Sequence, residues 1–130
     1  MGARPRRLAR ARLGDGVLSV YKLFAVWTDP DDVEAFERHY VETHAPLAAS
    51  IPGLQRMVLT RTADALGEGP SPFHRITELW FEDEAALAAG EASPEGQATI
   101  ADAVAMQERF GATLVSPGGI SVDQPLGPVG

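Results

Sequence analysis

At 130 residues the chain has the length of one domain, enough to bury about two thirds of its unfolded surface in a single core, and its 45% apolar and 22% charged content is that of an ordinary globular protein. No apolar run reaches the roughly 18 residues of a membrane span, and the absence of cysteine rules out disulfides, a thiol nucleophile and iron–sulfur or cysteine-held metal sites, which fits a cytoplasmic protein. The net charge of −7 argues against nucleic acid or an anionic membrane as partner, the more so because residues from Leu13 onward carry 6 basic against 18 acidic side chains.

In chain order, residues 1–16 come first, with Arg4, Arg6, Arg7, Arg10 and Arg12 and no acid in the first dozen. The Arg6-Arg7 pair lacks the apolar stretch and small-residue cleavage site of an export signal, so the expectation is a disordered extension. Regular patterning starts near Val17 and defines a domain over residues 17–123. Ser19 to Trp27 is short, aromatic and β-branched and reads as a strand. It is apolar on both faces except at Lys22, so it is expected to be central and covered on two sides. Thr28 to Asp32 supplies capping side chains, a proline and acids that suit a helix start. That helix runs to about His44, where Pro46 predicts a kink or break at Ala45. Leu47 to Ile51 adds a turn or two, closed by Pro52-Gly53.

Leu54 to Thr62 alternates as a second strand, and Ala63 to Pro72 is a Gly/Pro-rich loop too long for a tight hairpin. Phe73 to Phe81 is the third strand. An acidic start at Glu82-Asp83-Glu84 leads to a short helix over Ala85–Ala89, a break over Gly90–Ser93, and a longer helix from Pro94 to Phe110 with Ile100, Ala103, Val104 and Gln107 on one side. Thr113 to Val122 is the last strand, interrupted at Pro117-Gly118-Gly119, and residues 124–130 read as a flexible tail. The order βαββαβ implies an α+β, ferredoxin-like layer with both helices on one face of an antiparallel sheet. The other face is apolar and has nothing in the chain to cover it. A homodimer closing two sheets into an α/β barrel is therefore expected.

The first helix places a histidine on its apolar side. At about 100° per residue, Val33, Phe36, Tyr40, Thr43, His44 and Leu47 share one arc while His39 falls toward the flank. A buried imidazole needs a hydrogen-bond partner, a ligand or a cavity, so His44 is either a satisfied core residue or a functional one.

The run Phe36-x-x-His39-Tyr40-x-x-x-His44-Ala45-Pro46-Leu47, followed by Ile51-Pro52-Gly53-Leu54, resembles the early signature of the EthD family. Glu78-Leu79-Trp80-Phe81 and the region from Ser93-Pro94-Glu95 to Ala101-Asp102 are similar to its later blocks, so the resemblance spans roughly residues 20 to 115. It implies a dimeric α/β barrel, a group that also holds antibiotic-biosynthesis-type monooxygenases and muconolactone isomerases. The family is named for degradation of the fuel ether ethyl tert-butyl ether, and its members are often labelled reductases or oxidoreductases. No Gly-x-Gly-x-x-Gly follows a strand here, so a nicotinamide or flavin site has no support in the sequence and no cofactor is expected.

His44 is the candidate general acid/base, because imidazole exchanges a proton near neutral pH. Tyr40, one turn earlier, either orients a substrate oxygen or the imidazole, or is a core aromatic. His74, Ile76, Glu78 and Trp80 alternate onto one face of the third strand, as a cavity wall or as an interface cluster. Trp27 and Lys22 complete the candidate substrate-binding set, Lys22 alternatively pairing with an acid across the sheet. His39 and Asp102 read as surface residues, although Asp102 lies in a family block. His39 and His44 diverge by about 140° on an α-helix, and no metal site is expected. Three readings follow: a cofactor-independent enzyme acting on a small, mostly apolar organic compound, a non-catalytic binding or accessory protein of a degradation system, and an interaction module with a filled cavity.

Overall fold

The computed structural model describes residues 11–13, 17–63, 66, 67 and 69–128. In order these form β1 (Ala11–Leu13), β2 (Val17–Thr28), α1 (Val33–His39), a π-helical turn (Tyr40–His44), α2 (Ala45–Ala49), β3 (Arg56–Arg61), β4 (Phe73–Phe81), α3 (Glu84–Ala92), α4 (Pro94–Phe110), β5 (Leu114–Val115) and β6 (Gly118–Val122). All strand pairs are antiparallel: β3 lies on β4, β4 on β2, and β1, β5 and β6 also pair with β2, which is therefore central as expected. Four strand segments in the order β3–β4–β2–β6 with the helices on one side make an α+β, ferredoxin-like fold.

α1, α3 and α4 each start on a side-chain cap. Asp32 accepts from Ala35 N, Asp83 from Ala86 N and Ser93 from Gly96 N, and Pro94 follows Ser93 in the first turn of α4. Asp32 is thus the cap within the predicted start segment. The expected break over residues 90–93 shrinks to Ser93 alone, because α3 continues to Ala92. Gly90 and Gly96 allow this. A Cβ on Gly96 would overlap the Gly90 carbonyl oxygen and lie 2.8 Å from Glu91 Cα, so the two helices cross at contact distance. Gly111 ends α4 at φ 68°, with its N–H on the Gln107 carbonyl.

Residues Ala11–Leu13 pair with the start of β2, while residues 1–10 and 14–16 of the predicted extension lie outside the described residues. The last strand is interrupted at Ser116-Pro117 between β5 and β6, one residue ahead of the expected Pro117-Gly118-Gly119, because Gly118 and Gly119 pair with Leu23 and Lys22 in β6. On the predicted helical arc, Phe36, Tyr40 and His44 are buried but Val33 is exposed.

The core divides into two clusters. Trp27, Phe36, Tyr40, Ala103, Met106, Phe110 and Ala112 form one. Ala48, Ile51, Leu79, Phe81 and Leu87 form the other. Alternation along β2, β4 and β3 sends Phe24, Val26, Ile76 and Val58 to the opposite face, where they are half-buried with no helix upon them.

Candidate active site

A cavity of about 340 Å³ lies where the two core clusters fail to merge, between the sheet and the helices. Trp27, Leu23 and Ala25 of β2, Thr77 and Leu79 of β4, Tyr40 and His44 of the π turn and Ala103 of α4 are among its walls. Ile100 and Val104, expected on one side of α4 with Ala103 and Gln107, line it while remaining exposed, which places them at its mouth.

The π turn determines what reaches the cavity. Pro46 has no N–H to donate, and in a continuous α-helix its ring would press on the carbonyl of Glu42. The preceding turn opens by one residue instead, with Ala45 N–H on the Tyr40 carbonyl. The predicted break at Ala45 is thus a π turn that passes into α2 without interruption. In i→i+5 geometry residues five apart share a face, so the predicted divergence of His39 and His44 does not hold. Both rings meet Asp102. His44 Nδ1 is 2.8 Å from its Oδ2, and His39 Nε2 is 3.0 Å from both oxygens.

His39 and Asp102, read from the sequence as surface residues, are therefore part of the site. The missed signal was on α4: Asp102 lies four residues before Met106 and eight before Phe110, both buried, so an acid occupies the apolar stripe of its helix. His44 Nε2 has no hydrogen-bond partner among the described residues and belongs to a ring on the cavity wall. Burial pushes the His44 imidazole below its ordinary range, although the hydrogen bond and charge of Asp102 oppose the shift. Desolvation raises the Asp102 carboxyl, but bonds to both imidazoles outweigh it and hold the group below its usual range.

Tyr40 stacks on Phe36 at 5.7 Å and its hydroxyl hydrogen-bonds to Thr77 Oγ1, while burial raises its phenol above the ordinary value. Trp27 meets His44 edge-on at 5.9 Å, and its buried indole N–H has no hydrogen-bond partner among the described residues. Tyr40, His44 and Trp27 are thus brought together at one cavity.

The other candidates are not brought there. The pairing of β2 with β4 shifts register between Trp27, opposite Arg75, and Thr28, opposite Phe73, so His74 is the extra residue of a bulge. The bulge turns His74 to the helix side, where Nε2 lies 2.8 Å from Glu37 and the ring packs on Phe36. The predicted common face with Ile76, Glu78 and Trp80 is corrected accordingly. Arg75 also reaches Glu37, at 2.6 Å, and lies over the Tyr40 ring. Burial raises the Glu37 carboxyl, and its bonds to Arg75 and His74 more than reverse that. Lys22, Glu78 and Trp80 are on the open sheet face, away from His44. There Lys22 pairs with Glu78 at 2.9 Å and stands over Trp80, the cross-sheet alternative for Lys22.

Residues 29–108 match the model of the EthD domain. The chain belongs to the EthD family. A crystal structure of an EthD-family protein from Bacillus halodurans is 34% identical, covering 77% of this chain and 96% of that one, with a TM-score of 0.71. An uncharacterized 11.0 kDa protein in the thcB–thcC intergenic region of Rhodococcus erythropolis is 35% identical over 83 residues, 64% of this chain and 80% of that protein. The fold extends to more distant structures. SnoaB, a cofactor-independent oxygenase from Streptomyces nogalater, is 16% identical with a TM-score of 0.55 over 85% of this chain and 99% of its own. A dimeric ferredoxin-like protein from Thermobifida fusca is 16% identical with a TM-score of 0.52 over 75% of this chain and 89% of its own. Among the described residues of this EthD-family chain, no helix is long and apolar enough to cross a membrane.

Proposed function

We propose that this EthD-family chain binds a small, mostly apolar organic molecule in the cavity and transforms it by cofactor-independent proton transfer at His44. The pairing of His44 with Asp102 carries this reading. A neutral imidazole that donates Nδ1–H to a carboxylate presents a lone pair at Nε2, here on an apolar cavity wall. The carboxylate behind it stabilises the imidazolium formed when Nε2 takes a proton. Burial keeps the ring neutral at rest, as a base requires. Trp27 and Tyr40, whose hydroxyl is hydrogen-bonded to Thr77, line the same cavity beside it. Isomerase, lyase and oxidoreductase chemistry in a catabolic or biosynthetic pathway can all begin with such a proton abstraction. A second copy of the chain covers the open sheet face in this reading, as the half-buried Phe24, Val26, Val58 and Ile76 and the dimeric state of the Thermobifida fusca relative support.

A non-catalytic binding or accessory protein is the second reading. It is favoured by three further polar side chains at the cavity, Gln107, Ser116 and Thr99, which spend hydrogen bonds on the protein's own backbone.

Native mass spectrometry of the freshly purified protein identifies the organic molecule it carries, and that compound is then offered to wild type, His44→Gln and Asp102→Asn. The expected outcome is retained binding with turnover reduced by about 10²–10⁴ in His44→Gln. Undiminished turnover in that variant overturns the role of His44. Binding without wild-type turnover selects the second reading.

A further inference from the structure

We propose that His39 is a positioning residue that acts through Asp102, taking up the first proton from solvent so that the buried His44 stays an unprotonated base. The inference rests on the reading of His44 as that base.

The geometry is that of one carboxylate shared by two imidazoles. Asp102 Oδ2 lies 2.8 Å from His44 Nδ1 and 3.0 Å from His39 Nε2, so a charge on either ring is felt by the other across a single oxygen. The rings differ in access to water. The His44 side chain is 8% exposed, whereas His39 and Asp102 are 18% and 17% exposed. Of two rings on one carboxylate, the wetter accepts a proton at the lower desolvation cost. Once it has, Asp102 is neutralised by a neighbouring cation, and a second proton on His44 meets like charge.

Apart from the cavity that its Nε2 faces, which Glu91 of α3 also lines, His44 is enclosed by rings and by Asp102. Trp27 and Tyr40 pack on its ring at 5.9 and 5.8 Å, and Asp102 is its one hydrogen-bond partner among the described residues. His39 lies against Phe110 and opens on a surface cleft with Arg38 and Glu42 of its own helical segment and Arg109 of α4. Arg75, Glu37 and His74 on the sheet side are paired with one another and reach Tyr40 through the Arg75 guanidinium. The charge of His39 is also among the influences that hold the His44 imidazole below its ordinary range, after burial.

The test follows the imidazole nitrogens of the uniformly ¹⁵N-labelled full chain by NMR across pH, in wild type and in His39→Gln. The glutamine keeps a donor toward Asp102 and removes the titratable charge. Three histidines in the chain make assignment tractable by single substitution. The His44 midpoint is expected to move to higher pH in His39→Gln, and the acidic limb of kcat/KM for an identified substrate is expected to move with it. An unchanged midpoint overturns the proposal, because a merely structural His39 would leave it in place. Should His39→Gln fail to fold, the wild type alone decides. Coupled rings titrate in two steps that each nucleus senses, and two independent single-step curves overturn the coupling. If His44 titrates as expected but His44→Gln retains turnover, the role as base falls and the coupling stands.

Discussion

Asp102 binds two imidazoles with one carboxylate, and the cost of keeping that arrangement dry makes the fold sensitive to acid. The His44 imidazole is depressed in the folded chain, so below its unfolded value of about 6.5 the unfolded chain binds the extra proton and stability begins to fall. Asp102 and Glu37 are also depressed. Their contribution is intact above the ordinary carboxylate range and is lost as pH falls through their lowered folded values. All three groups therefore act in the same direction. Urea unfolding between pH 8 and 3 is expected to show a first decline beginning near pH 6.5 and a steeper one below about 4. His44→Gln should remove the first and leave the second. The position of His44 was legible in the sequence because an imidazole on an apolar face needs a partner. The partner was not legible, since an acid on a helix otherwise rich in exposed polar residues matches a solvated face unless its register with Met106 and Phe110 is noticed.

At the scale of elements, local chemistry announced most boundaries. Asp32, Asp83 and Ser93 are side-chain caps, Gly111 is a left-handed stop, and β4 runs from Phe73 to Phe81 as alternation predicts. What escaped were departures from ideal periodicity. The π turn over Tyr40–His44 and the bulge at His74 each insert one residue, and each re-aims a histidine. Constant angles along the chain cannot anticipate either, because the insertions answer to Pro46 in one case and to the pairing of β4 with β2 in the other. The crossing of α3 and α4 invites a direct test. Gly96→Ala forces a methyl against the Gly90 carbonyl and Glu91 backbone, and overpacking of this kind costs about 1–3 kcal/mol or more. Chemical denaturation is expected to show that loss, with Glu108→Ala, exposed on the same helix, staying within about 0.5 kcal/mol of wild type.

At the scale of the molecule, the βαββαβ order sufficed for the fold because each segment buries its apolar side in only one arrangement of layers. The two faces of the sheet have different tasks. One closes over a cavity under the helices. The other keeps Phe24, Val26, Val58 and Ile76 half-buried, with the Trp80 ring between Lys22 at 4.2 Å and Arg56 at 4.9 Å. If that face meets a second copy, sedimentation of the full chain will report a dimer, and Ile76→Asp will yield a monomer with an unchanged far-ultraviolet spectrum. A monomeric wild type overturns the dimer.

The π turn also has a bearing on descent. It holds one residue more than an α-helix needs to cover the same rise, so the insertion that sets it apart from an α-helix is the size of a single codon. Removing Glu42 would let the helix close in α register, with the two histidines four apart, a spacing that keeps them on one face. A lineage could thus gain or lose the extra residue in one insertion or deletion without parting the two histidines or rebuilding the fold around them. Relatives one residue shorter at this turn are expected to keep both histidines and an acid at the position of Asp102.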